Sequence, residues 1–224
     1  MPEPKRESLT TQAYQQLRAD IVACRHLPGS KLVISDLVAR MGFSLGAVRE
    51  ALSRLTSEGL VVAETNKGFQ VAPITQADLE DLTRTRSLIE IECLRDAIAH
   101  GDVKWEAGII ASLFELSRTP QYLDGAINEG WADAHARFHR ALVAACTSPA
   151  MLRIREALYS QSERYRRASQ PADQEAARDV ATEHQAIADA TIARDTEAAA
   201  EAMRQHLRLT TRILIEAGVA DARA

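Results

Sequence analysis

Four histidines carry most of the chemistry this sequence could perform. His135 and His139 stand four residues apart in Trp131-Ala132-Asp133-Ala134-His135-Ala136-Arg137-Phe138-His139. On a helix both imidazoles leave the same face, close enough to share a metal ion. His184 and His206 are 22 positions apart, about 33 Å on one unbroken helix and too far to share anything. A break around Arg194-Asp195 permits a helical hairpin that returns His206 towards His184. Imidazoles from facing helices would then form a metal cage inside a bundle. Taken singly, a histidine is more often a hydrogen-bonded core or surface residue than a ligand. The paired spacing of His135 and His139 is what lifts metal binding above that background.

Other reactive groups are weaker signals. Arg86 and Glu90 lie one helical turn apart and read as an ion pair on a solvated face, worth a few tenths of a kcal/mol. The Arg164-Tyr165-Arg166-Arg167 run reads the same way, as a solvated charge run. Cys24, Cys93 and Cys146 are odd in number and too scattered for a zinc knuckle, which suits buried free thiols. A metal-dependent hydrolase would need an open coordination position and a nearby general base. Ala136 stands where the glutamate of a His-Glu-x-x-His motif would be, and neither a nucleophile elbow nor a phosphate-binding loop is present. Four readings of the histidines remain: an ion that helps bind a ligand, a hydrolytic ion, an ion that is itself the signal, and a metal-free set that meets an anion directly.

The elements that must position these residues are helical. Candidate helices cover Gln76 to Gly101, Val103 to Ser117, Asp124 to Cys146, Ala150 to Gln170, Asp173 to Arg194 and Thr196 to Gly218, with breaks at Gly101, Pro120, Ser148-Pro149, Pro171 and around Asp195. Thr75 is the expected cap of the first. Residues 74–224 therefore read as an all-α bundle of about six helices. At 224 residues the chain has room for this bundle and a second, smaller core. No apolar run reaches membrane-spanning length, and the polar start MPEPKRESLTT lacks the core of a secretory signal. The expectation is a cytoplasmic protein with no membrane partner.

Residues 1–73 have a different grammar. An amphipathic helix over residues 9 to 24, with Ala13, Leu17, Ile21 and Cys24 on one stripe, precedes the Pro28-Gly29 turn. Leu37, Val38 and Met41 form one helical stripe, and Val48, Ala51, Leu52 and Leu55 form another, with Gly42 between them. Ser35 and Ser44 are the expected N-caps. Alternation from Leu60 to Glu64 and from Phe69 to Ala72, across Thr65-Asn66-Lys67-Gly68, predicts a β-hairpin wing. Helix, short turn, helix and wing is the order of a DNA reader whose second helix enters the major groove. Ser44, Gly46, Arg49, Lys67 and Gly68 are the contact candidates. Arg49 would reach a guanine edge or a phosphate, and Lys67 the DNA backbone. Nine Lys and Arg face seven Asp and Glu in residues 1–73, against 18 and 24 in the rest, the sign expected if only the first part meets phosphate.

Those motifs carry a resemblance. Tyr14 to Ala72, with Leu27-Pro28-Gly29-Ser30-Lys31-Leu32, Val48-Arg49-Glu50-Ala51-Leu52 and Glu58-Gly59-Leu60-Val61, resembles the winged helix-turn-helix domain of the GntR family of bacterial transcription regulators. Leu45 departs from it, since the family usually has a basic residue just after the serine that opens the recognition helix. The later part, with Arg86-Ser87-Leu88-Ile89-Glu90, Phe138-His139-Arg140-Ala141-Leu142, Glu183-His184 and Gln205-His206-Leu207, is similar to the all-helical ligand-binding domain of the FadR-type branch. The resemblance implies a mainly α protein that binds a palindromic double-stranded DNA operator as a homodimer, acts as a repressor, and answers to a small carboxylate effector.

Many members of that branch hold a divalent metal with an aspartate and three histidines. His139, His184 and His206 match the histidine positions, and His135 stands where the aspartate is expected. An all-imidazole set favours zinc or nickel over a hard oxygen-seeking ion. The resemblance also points Arg86 and His135 at the effector. Trp131, His135 and His139 with the Arg164-Tyr165-Arg166 run look like the carbon-starvation and glutarate repressor subset, which implies a short dicarboxylate.

Overall fold

The computed structural model describes residues 7–64, 68–168 and 178–216. Helix α1 (Leu9–Val22) is capped by the Ser8 hydroxyl, which accepts from the Thr11 amide, and buries Ala13, Leu17 and Ile21. Cys24 lies beyond its end at φ 55° and is half-buried, so the predicted stripe stops one turn short. Strand β1 (Lys31–Leu32) then leads into α2 (Ile34–Met41) and α3 (Leu45–Ser57). Ser35 does not cap α2: that helix begins one residue earlier behind Val33, with no side-chain cap. Gly42 ends it at φ 73°, a left-handed turn that glycine adopts without strain. Ser44 does cap α3, accepting from the Ala47 amide at 3.2 Å.

The wing has three strands among the described residues. Strands β2 (Val61–Glu64) and β3 (Gly68–Val71) pair antiparallel, Val62 opposite Gln70, and β1 adds to the far edge of β3 with Lys31 opposite Gln70. Leu17, Ile21, Leu37, Val48, Leu52, Leu55, Leu60 and Val71 close one core beneath these elements.

Thr75 caps α4 (Gln76–His100) through the Asp78 amide. Helices α5 (Val103–Arg118), α6 (Glu129–Leu142), α7 (Pro149–Ala168), α8 (Val180–Ile192) and α9 (Thr196–Glu216) complete the bundle. Leu94, Ile109, Phe138, Leu142, Ile187 and Met203 are fully buried at its centre. Helix α6 starts five residues later than the Asp124 expected from periodicity. The intervening chain forms a small hairpin, β4 (Tyr122–Leu123) with β5 (Ala126–Ile127), turned by Asp124 and Gly125 at φ 52° and 76°. Among the described residues no helix is long and apolar enough to cross a membrane.

Candidate metal centre and DNA-reading face

One turn of α6 sets His135 and His139 side by side, with ring centroids 4.5 Å apart. The α8–α9 hairpin supplies the other two. It reverses at Arg194, which takes φ 58° and is fastened by its guanidinium to the Ile98 and Gly101 carbonyls at 2.7 and 2.8 Å. His184 and His206 thereby come within 4.9 Å. One ligand atom from each of the four imidazoles lies within 4.8 Å of all the others, and all four residues are buried. The Nε2 atoms of His135 and His139 are already 3.2 Å apart, close to the ~3.3 Å that two nitrogens adopt around a tetrahedral zinc with bonds of about 2.0–2.1 Å.

The surrounding partners fix which nitrogens face inwards. Glu183 Oε2 lies 2.8 Å from His206 Nδ1 and accepts a hydrogen bond from it. Tyr159 Oη sits 3.1 Å from His135 Nδ1. Each of those rings thus keeps Nε2 for the centre, the arrangement by which outer groups orient metal-binding imidazoles. Glu183 is half-buried, which opposes its charge, yet hydrogen bonds from Arg178 and His206 outweigh that burial and hold its carboxyl at about 2. Burial lowers every one of the four imidazoles. His184 falls to about 2, and His135 and His139 fall well below the usual histidine range, with neighbouring positive groups adding to the effect. For His206 burial also leads, with Glu183 opposing it. Four neutral imidazoles, with His139 Nδ1 and His184 Nε2 buried and unpartnered, suit a cation better than they suit one another.

Beside this cluster lies a cavity of about 230 Å³. Arg86, Arg166, Arg178, Trp131, His135 and His206 give it polar and aromatic walls, and Leu79, Leu207 and Leu214 an apolar side. Its charges nearly balance. Arg166 is paired with Glu163 and Arg178 with Glu183. Arg86 and Arg155 share Glu90, at 3.7 and 2.8 Å. Among the described residues Arg86 is the guanidinium without a carboxylate of its own, and its Nε is buried without a hydrogen-bond partner. Arg86 also lies over the Tyr159 ring at 4.9 Å, Arg166 over Trp131 at 5.0 Å, and Trp131 stacks on His135 at 4.8 Å and 20°.

Of the two readings of Arg86 the solvated one is excluded, and the solvated reading of the Arg164 run is corrected. Arg86 and Glu90 are not a solvated pair: they are 8% and 0% exposed, and the closer partner of Glu90 is Arg155 from α7. The Arg164–Arg167 run is not a solvated face either, because Arg164, Tyr165 and Arg166 are all buried. The cause is the same in both cases, α7 being covered on two sides by other elements. Glu163, Arg166 and Arg178 were not singled out from the sequence. Glu163 and Arg166 do show the i, i+3 spacing of an ion pair, but nothing local says that the pair is internal.

On the DNA-reading side, Ser44, Leu45, Gly46 and Arg49 are exposed at the start of α3. A β-carbon on Gly46 would meet nothing within 4 Å, so the main chain there is open to a duplex. Arg49 has no ion-pair partner among the described residues. Gly68 opens β3 at φ 86°. Lys67 lies outside the described residues. Lys31, on the unexpected strand β1, is exposed at the wing's edge.

Comparison with known proteins agrees with both halves. The pattern of the FCD domain matches residues 81–209, and that of the bacterial regulatory proteins of the gntR family matches residues 9–71. The chain is 39% identical over 219 residues to the HTH-type transcriptional regulator BphR of Paraburkholderia xenovorans (strain LB400), spanning 95% of this chain and 87% of the relative. It is 36% identical over 199 residues to the HTH-type transcriptional repressor GlaR of Escherichia coli (strain K12), spanning 87% and 90%. Its backbone follows that of E. coli McbR/YncC with a TM-score of 0.78 at 21% identity, over 94% of this chain and 98% of the other, a likeness of fold. A helix-turn-helix with its wing, followed by a helical bundle with converging histidines, thus coincides with both matches in order, and the chain belongs to the GntR family of bacterial transcription regulators, with a FadR-type C-terminal domain.

Proposed function

We propose that this regulator is a repressor that binds a palindromic operator as a homodimer and is released by a small organic acid, a short dicarboxylate, bound beside a divalent metal. The observation that carries this reading is the convergence of four neutral imidazoles, two of which, His135 and His206, line a cavity that Arg86 also enters. His135, His139, His184 and His206 would hold the ion. Four nitrogen donors and no carboxylate favour zinc or nickel, and such an ion would supply a Lewis-acidic positive centre for a carboxylate. Arg86 offers a planar fork to the acid. Arg178 holds Glu183 in place for His206, and the Trp131 and Leu207 walls exclude water. A cavity of about 230 Å³ falls below the ~300–1,000 Å³ usual for drug-sized ligands, which suits a short acid. Glu183, which meets His206, and Glu163, on the cavity wall, are both tied to arginines, so neither is free to act as the general base of a hydrolase.

In the DNA-reading half, residues 1–73, α3 presents Ser44, Gly46 and Arg49 to the groove, with Gly68 and Lys67 at the wing; residues 74–224 bind the effector and dimerise. Two half-sites about one helical turn, ~34 Å, apart require two copies. A face for the second copy is at hand on α5, where Val103, Ile110 and Phe114 are 78%, 55% and 66% exposed along one stripe.

The test is operator binding by fluorescence anisotropy over a salt series, with chelated protein, zinc-loaded protein, and zinc-loaded protein titrated with a set of C4 to C6 dicarboxylates. Salt-sensitive binding that one acid weakens at least tenfold, and only when Arg86 is intact, is the expected result. Release by chelator alone, with no acid effective, would make the ion itself the signal.

A further inference from the structure

Helix α7 has two working faces. Ser162, Glu163 and Arg166 line the cavity, and Tyr159 touches His135. On the other face Ser160, Gln161 and Arg164 reach the DNA-reading half. Arg164 is 3% exposed, and among the described residues its guanidinium meets no carboxylate in hydrogen-bond range. It donates instead to three backbone carbonyls, those of Leu60 at 3.3 Å, Ala72 at 2.9 Å and Pro73 at 3.4 Å. Leu60 and Ala72 stand at the base of the wing, where the Ala72 amide also donates to the Leu60 carbonyl at 3.0 Å. Pro73 begins the connection to α4.

Neighbouring bonds run across the same joint. Gln161 Nε2 donates to the Glu58 carbonyl at 2.7 Å. Arg18 of α1 donates to Ser160 Oγ, and the Cys24 thiol to the Arg164 carbonyl at 3.4 Å. Gly59 leaves the room Gln161 needs, since a β-carbon there would lie 3.1 Å from Gln161 Nε2.

A buried cation held only by carbonyl oxygens is an expensive device for mere cohesion, because an apolar side chain would cover the same joint without desolvating a charge. What the planar fork adds is direction: three carbonyls must keep their places for the charge to remain satisfied. From this geometry we infer that Arg164 is a positioning residue, a clasp that locks the wing base and the connecting segment to α7, so that the DNA-reading half moves with the cavity-lining side of the same helix. On that helix Arg166 is the group an anion in the cavity would attract, in competition with its partner Glu163. The use of this clasp in signalling rests on the regulator reading above; the mechanical lock does not.

The experiment is differential scanning calorimetry of the full-length protein, wild type against Arg164→Gln and Arg164→Lys, each with and without one equivalent of zinc. The wild type should unfold in a single transition. Arg164→Gln should split it, the DNA-reading half melting at least ~5 °C below the bundle, and Arg164→Lys should fall between the two. Zinc should raise the whole transition in the wild type but only the bundle's transition in Arg164→Gln. A single, unshifted transition in Arg164→Gln would overturn the clasp, as would two independent transitions in the wild type. If Arg164→Gln yields no folded chain, Gln161→Ala, which removes a neighbouring bond of the joint, is read in its place by the same criteria. Absence of any zinc shift in every variant would count against the metal reading alone, because the splitting is read without it.

Discussion

Acid should unfold this protein before it titrates its carboxylates, and the four buried imidazoles set the size of the effect. Burial holds His135, His139, His184 and His206 below their ordinary value in the folded chain. In the unfolded chain each recovers a pKa near ~6.5. Above that value both states carry neutral imidazoles and stability is at its plateau. Below it the unfolded chain takes up protons that the folded chain refuses, so stability falls with pH, by up to ~1.4 kcal/mol per unit for each histidine. Between pH 6.5 and 5.5 the loss is about 1 kcal/mol each for His135, His139 and His184, with a smaller share from His206, whose shift Glu183 opposes, so about 3–4 kcal/mol for the set against a usual total of ~5–15 kcal/mol.

Glu183, held at about 2, keeps its charge in both pH conditions and does not offset this. The measurement is urea unfolding of chelator-treated protein, followed by circular dichroism at pH 7.5, 6.5 and 5.5. Stability should fall by about 1 kcal/mol between the first two and by roughly a further 3–4 kcal/mol at the third. His184→Gln should reduce that slope by roughly a quarter, whatever it does to the baseline. Stability that stays within ~1 kcal/mol from pH 7.5 to 5.5 would refute the burial argument, and with it the statement that four neutral imidazoles face one another in the folded chain.

Two further outcomes follow from exposed residues. Arg49→Ala should weaken operator binding and, if the contact is to phosphate, lower the salt slope by about 1; loss of discrimination at a single base pair would instead assign Arg49 to a guanine edge, both read by anisotropy on operator variants. If the proposed homodimer forms through α5, Phe114→Glu should sediment as a monomer where the wild type sediments as a dimer, with the far-ultraviolet spectrum unchanged, because Phe114 is 66% exposed and contributes little to its own chain's core.

Much of the fold was legible because its signals are local. The stripe Val48, Ala51, Leu52 and Leu55, the caps at Ser44 and Thr75, and the Gly42 turn each depend on residues within one or two helical turns, and each stands as the spacing implies. Local signals failed where a neighbour decides the outcome. Strand β1 is two residues long and exists because β3 offers it an edge. The β4–β5 hairpin displaced the predicted start of α6 because Asp124-Gly125 accepts positive φ, a turn signal masked by helical periodicity on its C-terminal side.

The chemistry divides along the same line. The pair His135 and His139 is a property of the sequence, since helical spacing alone puts them on one face. Their union with His184 and His206 required the Arg194 turn, and the protonation state of all four depends on burial, which spacing does not encode. Arg86 and Arg164 show the difference most clearly. In sequence each is one more arginine on an amphipathic helix. In the folded chain one is a guanidinium on a cavity wall and the other a fork on three carbonyls, because the groups that meet them come from elements up to about a hundred residues away. A cation's role is set by the dielectric and the partners around it, and only tertiary structure supplies those.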